Sequence, residues 1–317
     1  MQKLRNSLLS QTALISALGS VPAFLLATAG PLIVSTTTAL SASCTANSNG
    51  TYSVGANSSL NTASCEITSV APVIGNTSIW NLGFQLYSQS GKSNVLTIEN
   101  DFSTILKGST GISVSGAGPT TLSTFDAAGK VIDLTIQNID ASGTQNGGDR
   151  VAKVGVGVSS GGQVEIGTLN LKMPNLPNTD GSFLGAQFEH YGVVAGSSVS
   201  SGESAAFSGM QSTAAFDSLD IQMSANNSGL RRQLINGIRA IQGAPSNSGN
   251  GSAGYVVVRN DLKIDIDAGN NDAIGIYVSG SEHNGVLPEV KINNSNIKIK
   301  SSANRANAIS KGASLEG

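Results

Sequence analysis

The chain has 317 residues with 18 Lys and Arg against 20 Asp and Glu, and only 12% of it is charged, about half the usual share of a soluble globular protein. A net charge of -2 without a clustered basic patch leaves no electrostatic footprint for nucleic acid or anionic lipid, and neither partner is expected. Aromatic residues make up 4%, too few for a conventional core of this length. The 38 Gly and the abundant Ser, Thr and Asn between β-branched runs favour strands and turns stacked in thin layers.

The N-terminus carries Lys3 and Arg5 with no acidic residue, then an apolar stretch over 12–34, then the small-residue segment TTTALSAS. This is the layout of a secretory signal peptide, assigned to 1–42, with cleavage expected between Ala39 and Ser43. A membrane-spanning anchor is the competing reading by length. Gly19, Pro22 and the Gly30-Pro31 pair interrupt the helix that spanning requires. A lipoprotein-type cut before Cys44 is the remaining alternative; it lacks the preferred Leu, since Ser41 stands three residues before the cysteine.

Residues 43–94 read as an N-terminal cap region. Its two cysteines, Cys44 and Cys65, are the only ones in the chain and flank a polar loop. In an oxidising compartment they are expected to form a disulfide, worth roughly 3 kcal/mol for a loop of about 20 residues. His190 and His283 are the only histidines and form no ligand-spaced cluster with the cysteines, so neither a metal nor a cofactor is expected.

From 95 to 317 the chain repeats one unit: an alternating strand, a polar loop, then a strand with Gly-apolar-x-apolar. The alternating strands are VLTI (95–98), VIDLTI (131–136), VEIGTLNLKM (164–173), FDSLDIQM (216–223), LKIDI (262–266) and VKINNSNIKIK (290–300). The partner strands are KVGVGVSSGG, HYGVVAGS, INGIRAIQG and AIGIYVSG, with a degenerate NAIS. Their lead residues Gly155, Gly192, Gly237, Gly275 and Ala308 are separated by 37, 45, 38 and 33 residues, a spacing that marks a solenoid. In LKIDI, Leu262, Ile264 and Ile266 share one face while Lys263 and Asp265 share the other, so each strand buries one side and needs neighbours above and below. Asn138, Asn226, Asn227, Asn270, Asn293 and Asn294 are expected at corners, in left-handed conformations. The fold class is therefore all-β, a parallel β-helix.

The signal followed by VLTIEN, LTIQNIDASG, VGVGVSSGGQVEIG, IGIYVSG and KINNSNIKIKSS resembles the passenger domain of bacterial autotransporters of the pertactin-like kind. The resemblance implies a right-handed β-helical stalk at the cell surface, outer membrane or outside the cell, used in adhesion or host interaction, with a host or cell-surface protein or glycan as partner. It also implies a C-terminal β-barrel translocator. No Phe, Trp or Tyr follows Tyr277, so the expectation is a passenger whose repeats are incomplete at the C-terminus and whose translocator is not in this chain.

Right-handed β-helices include polysaccharide lyases and hydrolases, and the best carboxylate cluster is Asp265, Asp267 and Asp272, the first two on one strand face. No Lys or Arg cluster for an acidic sugar accompanies them, and a solvated strand edge is the simpler reading. GVSSG at 157–161 matches the nucleophile-elbow pattern but precedes a strand rather than a helix. His190 is expected to pack at a rung corner rather than act as a base. Arg231-Arg232 reads as exposed loop charge. Trp80 and Tyr87 read as an end plug, with an exposed ligand platform as the alternative. The expected function is a non-enzymatic adhesin or structural stalk that binds through side faces and the loops at 174–187 and 244–253. The rivals are a secreted β-helical polysaccharide enzyme and a self-assembling surface layer.

Overall fold

The computed structural model describes residues 42–43, 52–54, 62–67, 82–87, 93–116, 122–137, 152–176, 189–196, 210–225, 233–242, 251–280, 285–301 and 306–309. All lie in the compact unit Ser41–Gly317. The signal segment, Cys44, Trp80, the Arg231-Arg232 pair and loop residues 177–188 and 243–250 fall outside the described residues.

Every described element is a strand. In chain order they are β1 (Ala42–Ser43), β2 (Tyr52–Val54), β3 (Thr62–Ile67), β4 (Leu82–Tyr87), β5 (Ser93–Ile98), β6 (Phe102–Lys107), β7 (Thr110–Ser115), β8 (Ser123–Gln137) and β9 (Val154–Ser159). They continue as β10 (Gln163–Leu176), β11 (Glu189–Ala195), β12 (Gln211–Ala225), β13 (Leu234–Ile241), β14 (Ala253–Gly269), β15 (Asp272–Ser279), β16 (Glu289–Ser301) and β17 (Ala306–Ile309).

The strands form two sheets. One runs β1-β3-β5-β8-β10-β12-β14-β16 with β6 also on β8; the other runs β2-β4-β7-β9-β11-β13-β15-β17. All pairings are parallel. The chain alternates between sheets, and each pass pairs with the pass before and after it, as parallel strands joined by crossovers must. This all-β arrangement is compatible with a β-helix. The strands before Val95 join the same two ladders: β3 pairs β5, and β4 pairs β7.

The long strands of the first sheet contain the expected alternating segments and extend N-terminal to most of them. Each pairs in two registers with a break between. Breaks fall between Ile166 and Thr168 in β10, Phe216 and Leu219 in β12, and Val258 and Asp261 in β14. Gly129, at a φ of 68°, supplies the bend in β8 that an L residue resists.

In-register pairing aligns the inward side chains in columns. Leu134, Leu171, Ile221, Ile264 and Ile297 form one. Leu96, Phe125, Val164, Ala214, Val256 and Val290 form another. Beside it, Ala127, Ile166, Phe216 and Val258 form a third. Bulk is complementary within a rung: β8 places Phe125 beside Ala127, whereas β12 places Ala214 beside Phe216, which keeps layer volume even. Phe84 of the second sheet meets Phe125 edge-on with ring centroids 5.4 Å apart and Phe102 at 5.7 Å, joining the two sheets at that level.

The lead glycines form a column through the second sheet. The registers align Gly83, Gly111, Gly155, Gly192, Gly237 and Gly275, with Ala308 opposite Gly275. A methyl on Gly192 would stand 2.5 Å from the Gly237 carbonyl oxygen and 2.9 Å from Ile221 Cγ2; one on Gly237 would stand 2.6 Å from the Gly275 oxygen and 2.9 Å from Ile264 Cδ1. The second sheet therefore packs its backbone directly onto the Leu/Ile column of the first, leaving no room for Cβ.

The asparagine expectation needs correction. Among the described residues, positive φ outside glycine occurs at Ser160 and Asn175, so Asn270, Asn293 and Asn294 are not left-handed. Gly269, adjacent to Asn270, takes that conformation. Asn293 and Asn294 instead extend their amides to the previous rung, onto the Arg259 carbonyl and the Asp261 carboxylate.

Candidate functional site

The outer face of the first sheet is polar and tied across rungs. Asn170 bonds Asp133 at 2.7 Å, Lys263 bonds Asp220 at 2.8 Å, and Lys300 bonds Asp267 at 3.0 Å. Arg259 spans two partners, Asp217 and Glu165, each at 2.9 Å. Those hydrogen bonds raise its pKa above the ordinary guanidinium value, and the bond to Asp220 likewise raises that of Lys263. All are exposed pairs, their attraction weakened by solvent screening.

Asp265 and Asp267 lie on this face and border a groove of about 320 Å³ with Thr135, Lys172, Gln222 and Ser224. Asp272 does not join them. It opens β15 in the other sheet, where its amide donates to the Gln233 carbonyl at 3.0 Å. The candidate carboxylate triad is thus a pair, its second member in contact with Lys300. Among the described residues no group of three His, Cys, Asp or Glu could hold a metal ion.

The GVSSG segment is the end of β9 and a turn in which Ser160 and Gly161 both have positive φ; β10 begins two residues later, at Gln163. His190 cannot serve Ser159, because both ring nitrogens are engaged elsewhere. Nδ1 accepts the Lys153 backbone N–H at 3.0 Å, and Nε2 faces Gln233 Oε1 at 2.9 Å. Gln233 N donates to Asn271 Oδ1 at 3.0 Å, and Lys153 Nζ donates to the Gly108 carbonyl at 2.7 Å. These buried side chains make a polar spine inside one corner, continued by the Val154 amide donating to Ser109. His190 packs at the corner as its position at the head of β11 suggested.

The most concentrated chemistry lies on the outer face of the second sheet. Three columns cross β11, β13 and β15: Glu189, Leu234, Asp272; Tyr191, Asn236, Ile274; and Val194, Arg239, Tyr277. Arg239 sits between two rings, its guanidinium carbon 5.4 Å from the Tyr191 centroid and 5.2 Å from that of Tyr277. Its Nη1 donates to the Tyr191 hydroxyl at 2.9 Å and pairs with Glu189, to which Tyr191 also donates. Burial lowers the Arg239 pKa from its ordinary value, with Tyr277 acting in the opposite sense. Asn236 is fully buried, and neither its amide nitrogen nor its amide oxygen has a partner; Arg239 Nε is also buried without one. Unsatisfied buried polar groups of this kind are uncommon and each costs about 1–3 kcal/mol.

Burial pushes the Tyr191 hydroxyl up to about 12. With the folded pKa above the unfolded value of 10.0, Tyr191 favours the fold at low pH, and that contribution is lost as pH rises from 10 toward 12. In an absorbance titration at 295 nm, one of the five tyrosines is expected to ionise near pH 12, and Tyr191→Phe is expected to remove that step. A Tyr191→Phe curve superimposable on the wild type up to pH 12.5 would contradict the assignment.

Of the residues singled out in the sequence, Tyr87 is 40% exposed on the second sheet, and Cys65 lies in β3 with its backbone in register with Ala42. Glu189, Tyr191, Asn236, Arg239 and Tyr277 were not read from the sequence as a site. Their signal is positional: Arg239 and Tyr277 each follow a lead glycine by two residues, and Tyr191 and Asn236 each precede one. No family model, curated protein or solved structure matches the chain.

Proposed function

We propose that the chain is an exported interaction scaffold: a right-handed β-helical passenger of the autotransporter kind, displayed on the cell surface or released from it, that binds through its side faces and performs no catalysis. The supporting observation is the continuous parallel pairing of successive strands from β3 to β16, which is what a stiff rod of stacked short polar strands with continuous outer faces requires. A chain with few charges and many Ser, Thr, Asn and Gly suits such a rod, because its solubility comes from the outward position of every second residue. The Cys44–Cys65 disulfide belongs to the same reading, since it forms only if the chain reaches an oxidising compartment.

Protease treatment of intact cells that make the protein tests export. Surface-exposed chain should be degraded without permeabilisation, and the mature N-terminus should map between Ala39 and Ser43. A full-length, protease-protected cytoplasmic product overturns the proposal.

The groove bordered by Asp265 and Asp267 supports the second reading, a secreted polysaccharide lyase or hydrolase. Two residues along a strand are about 6.6 Å apart, near the lower end of the carboxylate separation used in inverting hydrolysis. Lys300 holds Asp267 at 3.0 Å, so one of the two carboxylates is already engaged by a cation from the next strand. In a reducing-end assay over a polysaccharide panel, neither wild type nor the Asp265→Ala/Asp267→Ala double variant is expected to release product. Wild-type cleavage that the double variant loses would replace the scaffold reading with the enzymatic one.

A further inference from the structure

We infer that the patch of Tyr191, Asn236, Arg239 and Tyr277 on the outer face of the second sheet binds a neutral sugar ring. The inference rests on the scaffold reading above and names the ligand class of one of its faces. Asn236 presents an unpaired donor and an unpaired acceptor, and Arg239 Nε adds a second donor. A ligand that satisfies all three carries adjacent groups able both to give and to accept hydrogen bonds, as vicinal hydroxyls do. The same ligand meets two tyrosine rings and the apolar side chains Leu234 and Ile274 in neighbouring positions, so it needs an apolar face as well. A pyranose ring combines the two.

Charge excludes the acidic alternative. Arg239 is already paired with Glu189, and Asp272 follows in the same column as Glu189, so the patch carries one cation against two carboxylates. An anionic sugar would meet net repulsion. An extended peptide added as a strand is excluded by topology, because β11, β13 and β15 are each paired on both sides and offer no open edge. Asn236 is fully buried, so the ligand reaches it when the side chains around it turn aside. Both a surface aromatic and the buried amide therefore belong in the test.

The experiment is saturation-transfer NMR and calorimetry on the full chain with cellohexaose, mannohexaose, maltohexaose and galactotetraose, and with trigalacturonate as the acidic comparison. Wild type is expected to bind at least one neutral oligosaccharide more tightly than trigalacturonate. Tyr277→Ala and Asn236→Leu are each expected to weaken that binding tenfold or more, with the β-sheet circular dichroism retained. Tyr277→Ala alone suffices if the Leu variant does not fold. Three results overturn the inference: no binding to any of the four, a preference for the acidic trimer, or wild-type affinity in Tyr277→Ala. Failure here leaves the export test untouched, and an intracellular protein would undo the scaffold reading whatever the sugar result.

Discussion

Replacing Gly192 by alanine is expected to destabilise the fold by about 3 kcal/mol, the upper range for forcing one methyl into a packed layer. The new Cβ would stand 2.5 Å from the Gly237 carbonyl oxygen and 2.9 Å from Ile221 Cγ2. The first neighbour is backbone and belongs to the next rung of a parallel ladder, so it cannot retreat without loosening the pairing of β11 with β13. The second is a β-branched side chain held between Leu171 and Ile264 in its own column, with one strongly preferred rotamer well and little freedom to turn. Gly157 in β9 provides the control: a methyl there meets nothing closer than 3.4 Å, so Gly157→Ala is expected to change stability by less than about 0.5 kcal/mol. Urea melts of the two variants decide the matter. Equal midpoints would mean that the glycine column reflects composition rather than close approach.

That column shows how far the sequence could be read. The glycines at 155, 192, 237 and 275 are visible as a repeat, and so is the alternation in LKIDI, because both patterns are local. The reason for the glycines is not local. Each is required by a carbonyl one rung away and by a Leu or Ile in the opposite sheet, so Gly83 and Gly111, which lie in less regular sequence, join the column only once the register is known. The first halves of β12 and β14 were hidden for a related reason. In β12 the inward residues run Ala214, Phe216 and then Leu219, Ile221, so the break after Phe216 shifts the phase and an alternation counted across it cancels; in β14 Val256, Val258, Leu262 and Ile264 keep one phase, but three exposed residues at 259–261 interrupt it. Asn293 and Asn294 escape the left-handed expectation because each serves a cross-rung amide contact instead, Asn294 with Asp261, whereas Asn138, Asn226 and Asn227 lie outside the described residues.

The candidate sites divide along the same line. Asp265 and Asp267 were legible as neighbours because they share a strand, but Asp272, five residues beyond Asp267 in sequence, begins a strand of the other sheet. Conversely, Tyr191, Arg239 and Tyr277 are far apart in sequence and stack on one another because their strands lie on adjacent rungs. The loops between these rungs differ in length, so no fixed period brings the three into line. Counting outward from each lead glycine does, because the glycine marks the same point of every rung.

The polar spine carries the second large expectation, a loss of about 3 kcal/mol on His190→Leu, from leaving buried hydrogen-bonding groups without partners at about 1–3 kcal/mol each. The imidazole is 1% exposed and faces partners on both neighbouring rungs: Nδ1 takes the Lys153 amide hydrogen, and Nε2, as the protonated nitrogen of that tautomer, gives to Gln233 Oε1. Leucine fills most of the space and answers neither. His190→Gln keeps an acceptor and a donor on a side chain of similar reach and is expected to lose less than half as much. A rung-level readout separates this from general loosening of the core. Since the ring nitrogen accepts the Lys153 amide hydrogen directly, exchange of that amide should accelerate in His190→Leu, while the amide of Val256, two strands away in the other sheet, should accelerate only to the extent that global stability falls. Unchanged exchange at Lys153 together with a wild-type melt would show that the spine does not hold this corner, and would return His190 to the set of side chains available for chemistry.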